Sequence, residues 1–178
     1  MRSTTGSALL LAALLMACAR TPDADQLTAV DRLITATDGA TLTLNELGRQ
    51  RYELADSLLA QDSARFALRF QDTLEPSSAQ VLGSQWLTLH HAATMGRDHE
   101  RVLGESILAG ERLRLLRNDI AAGAVAAKQA AAMIASEQKY HAELIGGVHA
   151  VMDNYRQLQH AWDRRDTVEQ LLANTPMP

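Results

Sequence analysis

Residues 144–162 read LIGGVHAVMDNYRQLQHAW, and Leu144, Val148, Val151, Tyr155, Leu158 and Trp162 recur in them at alternating steps of four and three. A strand would alternate apolar and polar residues in twos, whereas steps of three and four keep side chains on one face of a helix. The narrowness of the stripe matches a coiled-coil seam, in which each helix buries only its a- and d-type positions. Val168 and Leu172 continue the stripe. Upstream, the Ala-rich tract over 121–135 carries the same helix back to about Ala124. Ala130, Ala131, Ala132 and Ala135 let a neighbouring backbone approach or leave an apolar groove, and Gly146-Gly147 marks a kink or a close helix contact.

Further upstream, Pro76-Ser77-Ser78-Ala79-Gln80 restarts the chain, with Ser77 as N-cap and Gln80 at the capping-box position. Leu82, Trp86, Leu89, Ala93, Gly96, Leu103, Ile107 and Gly110 form its stripe, with Glu100 as an interruption, and Leu113, Leu116 and Ile120 follow on a shifted phase. A first helix begins after Asp23, which stands at capping-box spacing from Gln26, and its stripe runs through Val30, Leu33, Thr37, Ala40, Leu44, Leu47, Leu54 and Leu58. Two places compete for a break in it. Asp38-Gly39 reads as a turn ahead of a Thr43–Glu46 capping box, a break near residues 38–43, and Asp62-Ser63 precedes a new stripe of Phe66, Phe70 and Leu74.

Pro76 and Gly123 divide residues 23–172 into three stretches of similar length. The expected fold is therefore all-α: an elongated antiparallel bundle of about three long helices, each roughly 65–70 Å long at 1.5 Å per residue. Residues 23–173 form one domain, and 174–178, closed by Pro176 and Pro178, form a tail.

Composition narrows the function. The chain has 178 residues, 17 Lys and Arg against 21 Asp and Glu, and a net charge of −4, so it lacks the basic footprint of nucleic-acid binding. Arg112, Arg114 and Arg117, with Glu111 and Asp119, form a charged belt that suits the flanks of a coiled coil.

The N-terminus carries Arg2, a polar stretch, the apolar run Ala8–Ala17 and then Cys18, the one cysteine of the chain. The run is too short to span a bilayer comfortably and has the layout of a secretory signal. Leu15-Met16-Ala17-Cys18 resembles the lipobox of bacterial lipoproteins. The resemblance implies a signal peptide over 1–17, cleavage by signal peptidase II between Ala17 and Cys18, and a lipid-modified Cys18 bearing a diacylglyceryl group and an N-acyl chain such as palmitate. It also implies a cell-envelope protein held on a membrane by its lipid, with 18–22 as a short tether. Ala19 follows the cysteine where Asp would signal inner-membrane retention in enteric bacteria, which points to the outer membrane rather than the inner.

Little else carries chemistry. A hairpin turning near residue 122 would set His91 and Met95 against Asp153 and His149, a donor set that suits copper or zinc, although His149 and Asp153 fall beside the seam. Di-iron bundles need inward Glu-x-x-His pairs, nucleophilic hydrolases a Gly-x-Ser-x-Gly elbow and phosphate sites a Gly-rich loop before Lys; none is present. No catalytic residue and no cofactor is expected. The functional expectation is a lipid-anchored structural or adaptor protein that presents a helical docking surface to a protein partner in the envelope. The alternative is a periplasmic binding or chaperone module that holds a hydrophobic ligand or client between its helices; exposed apolar seams would favour this alternative and buried ones the adaptor.

Overall fold

The computed structural model describes residues 23–173. They form five α-helices: α1 (Ala24–Glu46), α2 (Gln50–Arg69), α3 (Pro76–Ala121), α4 (Ala127–Asp163) and α5 (Arg165–Ala173). No strand occurs among the described residues, and the helices pack against one another as expected for an all-α chain. The expected signal peptide, the expected cleavage point between Ala17 and Cys18, Cys18 itself, the expected tether and the tail over 174–178 lie outside the described residues.

Helix α3 is the axis of the packing. Asp31 meets Arg117, Thr41 meets Ser106 and Phe66 meets Trp86, so α1 and α2 follow one another antiparallel to α3. Arg112 meets Glu137 and Ser84 meets Arg164, so α4 runs back along α3. The third side closes in parallel, with Gln26 at Ala127 and Thr37 at His141.

The centre of α3 is a stripe of eleven buried residues: Gln85, Thr88, Ala92, Met95, His99, Val102, Ser106, Ala109, Leu113, Leu116 and Ile120. Their steps alternate between three and four without interruption. This continuous stripe differs from the expected one, because Gln85, Thr88, His99 and Ser106 are polar and conceal the period. Of the expected stripe, Leu82, Leu89, Leu103 and Gly110 are buried beside it, Trp86, Ala93 and Gly96 are half-buried at its edge, and Ile107 is exposed. On α4 the expected seam is buried from Leu144 to Leu158, and Ala161 rather than Trp162 is its next buried residue.

The breaks differ from both expected positions. Helix α1 passes through 38–43: Asp38 pairs with Arg114, and Thr43 bonds back to the Gly39 carbonyl at 2.9 Å instead of capping a new helix. Helix α2 passes through Asp62-Ser63 because Asp62 is buried between Arg65 and Arg165, a better outcome for its carboxylate than a turn would give. The chain breaks instead at Leu47–Arg49 and again over 70–75. At the N-terminus of α1, Asp23 does cap, accepting from the N–H groups of Asp25 and Gln26; the Gln26 side chain donates across to Ala127. At α3, Glu75 rather than Ser77 is the N-cap, since Pro76 occupies the first helical turn without needing a donor.

The α3–α4 connection is a Schellman turn. Gly123 takes φ 66°, its N–H reaches the Ile120 carbonyl, and the Ala124 N–H reaches the Asp119 carbonyl, which delays the start of α4 from the expected Ala124 to Ala127. Helix α4 then continues through Gly146-Gly147. A Cβ on Gly147 would stand 3.3 Å from Val102 Cγ2, so this glycine serves a close helix contact. A second break, at Arg164, separates α5, which Arg165 and Glu169 tie to Asp62 and Arg65 of α2.

Candidate functional site

The contact at Gly147 and the Arg112–Glu137 pair fix how α3 and α4 face each other. Their register lies about five residues beyond that of a hairpin turning at 122, and this disperses the proposed metal ligands. His91, His149 and Asp153 are exposed, Asp153 pairs with Arg156 at 2.6 Å, and Met95 is buried in the α3 stripe. Among the described residues, no three His, Cys, Asp or Glu side chains are grouped to hold a metal ion.

The same register assembles a different feature on the outer face of the α3–α4 pair. Leu108 and Tyr140 line opposite walls of an open groove, with Ala109 and Leu144 at its floor and Arg101, Glu105, Arg112 and Glu143 along its rims. One heptad along each helix stand Leu115 and Met133, which the register sets level with each other. These four side chains are exposed by 57%, 54%, 65% and 39% in the order Leu108, Tyr140, Leu115, Met133. Single exposed leucines are ordinary on a protein surface. Two cross-groove pairs spaced by seven residues are different, because that is the spacing at which a further helix seats its side chains.

Local interactions hold the groove's shape. Arg112 bonds Glu137 through both Nε and Nη2 at 3.2 Å, and its guanidinium lies 5.8 Å from the centre of the Tyr140 ring. Arg114 and Arg117 reach the other way, to Asp38 and Asp31 on α1, so the charged belt braces α3 from both sides. These pairs are solvated and contribute little to stability, which makes their role one of alignment. Of the small residues expected to admit a backbone, Ala130 is buried, while Ala131, Ala132 and Ala135 are exposed on the same turns of α4 as Met133.

Elsewhere the seams are filled. Three apolar clusters follow one another along the bundle: Tyr52, Phe66, Leu82, Leu89 and Leu158 at one end, Leu44, Val102, Leu144 and Val151 in the middle, and Val30, Leu113, Ile120 and Ile134 at the other. Trp86 and Trp162 both pack on the first cluster. Among the described residues no helix is long and apolar enough to cross a membrane.

Sequence reasoning missed Leu108, Leu115, Met133 and Tyr140 as a set. The signal was present as two heptad steps, but it becomes a groove only once the register pairs them.

The chain matches no protein-family model, no curated protein and no solved structure.

Proposed function

We propose that the protein is an envelope lipoprotein anchored through Cys18, whose elongated bundle of helices acts as an adaptor that docks a partner helix in the outer groove between α3 and α4. The observation that supports docking is that Leu108 and Tyr140 face each other across the groove and that exposed Leu115 and Met133 stand one heptad further along the same two helices. A helix bearing large apolar residues at heptad spacing would cover these side chains, and its flanking charges would meet Arg101, Glu105, Lys139 and Glu143. The buried seams support an adaptor over a module that stores a ligand between its helices, since the interhelical space is occupied by the protein's own side chains.

The groove lies in the half of the bundle where α1 begins. Gln26, in the first turn of α1, bonds Ala127 at the start of α4. A lipid on Cys18 would therefore hold the groove near the membrane, because five residues of tether reach at most about 18 Å. Photocrosslinking groups placed at Leu108 and Leu115, with Thr94 and Asn154 as controls, test the proposal in intact envelopes. A discrete adduct from the first two positions alone is expected; equal labelling from all four, or from none, would overturn it.

A further inference from the structure

The joint between α1 and α2 contains a group that the docking surface does not use. His99, fully buried at 0% exposure on α3, donates from Nε2 to the Leu44 carbonyl at 2.9 Å. In an uninterrupted helix that carbonyl would accept from the N–H of Gly48, four residues on. Here the Gly48 N–H donates instead to the Tyr155 hydroxyl at 3.2 Å. One backbone hydrogen bond of the helix has thus been exchanged for two side-chain bonds, from α3 and from α4. Only one-turn bonds carry the chain across: Leu47 N–H to Leu44, Arg51 N–H to Gly48 and Tyr52 N–H to Arg49.

We propose that His99 is the latch of this joint and that gaining a proton opens it. With Nε2 committed to Leu44, the neutral ring carries its lone pair on Nδ1, and that atom is buried without a hydrogen-bond partner. Protonation turns Nδ1 into a charged donor with no acceptor in place, a costly arrangement in the interior. The surroundings do little to compensate. Arg49 at the joint repels the added charge, and Tyr52 of α2 stands in a T-shaped contact with the ring at 5.7 Å between centroids, with its own buried hydroxyl unpartnered. Tyr155 of α4 packs against Tyr52 and is committed to Gly48. Glu100, an acidic group acting on the ring, is exposed. Burial, reinforced by Arg49, accordingly holds the imidazole below its ordinary value of 6.5 against the opposing effects of Leu44 and Glu100.

The charged ring reaches solvent only by releasing Leu44, which frees the end of α1 and the approach of Gly48 to Tyr155. The joint is closed near neutral pH and opens in mild acid, while the α3–α4 pair stays packed; the other histidine bonded to α1, His141 of α4, meets Thr37 well before the joint. This inference stands independently of membrane anchoring and of docking.

Hydrogen exchange on the full chain at pH of about 7.5 and about 5, corrected for intrinsic rates, tests it. Protection of the Leu47, Gly48, Arg51 and Tyr52 amides should fall by roughly tenfold or more in acid while that of α3 around Leu113 holds. In His99→Gln, whose amide can still donate to Leu44 and does not titrate, the acid loss should vanish. The wild-type ring, followed by NMR, should titrate with the same midpoint as the loss at Gly48. Unchanged protection at the joint, an equal loss in H99Q, a loss spread evenly through α3, or two distinct midpoints would each overturn the proposal.

Discussion

Asp62 and Arg165, more than a hundred residues apart in the chain, meet at 2.5 Å where α2 packs on α5. Asp62 is 2% exposed and its carboxylate is shared with Arg65 at 2.8 Å; Glu169 closes the cluster through both arginines. A nine-residue helix has little intrinsic stability in water, so this cluster, together with buried Val168 and Leu172, is what holds α5 in place.

Asp62→Ala removes a buried carboxylate's charge-assisted hydrogen bonds to Arg65 and Arg165, which keep Glu169 as a partner, so the variant is expected to destabilise the fold by about 2 kcal/mol. Asp62→Leu combined with Arg165→Leu should cost much less than Asp62→Ala alone. Urea denaturation of the three proteins decides it, and a single-variant loss under about 1 kcal/mol would show that the cluster contributes only on the surface.

His99 gives stability a predictable slope with pH. Its folded-state value lies below the ordinary 6.5, so the unfolded chain binds the proton more readily. The contribution is complete above 6.5 and is lost as pH falls through the folded value. Thermal midpoints measured from neutral to mildly acidic pH should fall more steeply for wild type than for His99→Gln. A parallel pair of curves would contradict this assignment. At the alkaline end Tyr52 behaves in the opposite sense: burial and neighbouring Tyr155 push its hydroxyl up to about 12, and it stays neutral in the folded protein.

Two glycines should respond to substitution with opposite signs. A Cβ on Gly39 meets nothing within 4 Å, so Gly39→Ala in the middle of α1 should stabilise by about 0.5–1 kcal/mol. Gly147 already sits against Val102, and Gly147→Leu should destabilise by about 1–3 kcal/mol through overpacking. Melting curves for both variants check the pair. A stabilising Gly147→Leu would mean that α3 and α4 are further apart than described.

Leu115→Glu separates docking from folding. The side chain is largely exposed and outside the buried clusters, so stability should change by no more than about 0.5 kcal/mol, while crosslinking from Leu108 should be lost. A variant that unfolds would show that Leu115 supports the bundle itself.

The helical character of the chain was legible because apolar spacing survives in any single segment, as the seam from Leu144 to Leu158 shows. The centre of α3 was less so, since Gln85, Thr88, His99 and Ser106 occupy positions that a hydrophobic pattern leaves blank. Those residues are tolerated inside because most find partners: Ser106 donates to Leu103 and accepts from Thr41, and Thr88 bonds back to Ser84. The break at Leu47–Arg49 was hidden for a related reason. It depends on His99 and Tyr155, which come from other helices, whereas Asp38-Gly39 is a local turn signal that Arg114 overrides from α3. Register was the remaining gap. A Schellman turn at Gly123 and the approach of Gly147 to Val102 shift α4 by enough residues to scatter His91, Met95, His149 and Asp153 and to bring Leu108 opposite Tyr140.

The proposed anchoring and the proposed placement of the groove near a membrane both depend on Cys18. The direct measurement is the intact mass and membrane fractionation of the protein beside its Cys18→Ala variant. A mature chain that starts at Cys18, carries acyl chains and sediments with membranes is expected, with all three properties lost in the variant. A soluble, unacylated product from the wild-type sequence would contradict the proposal.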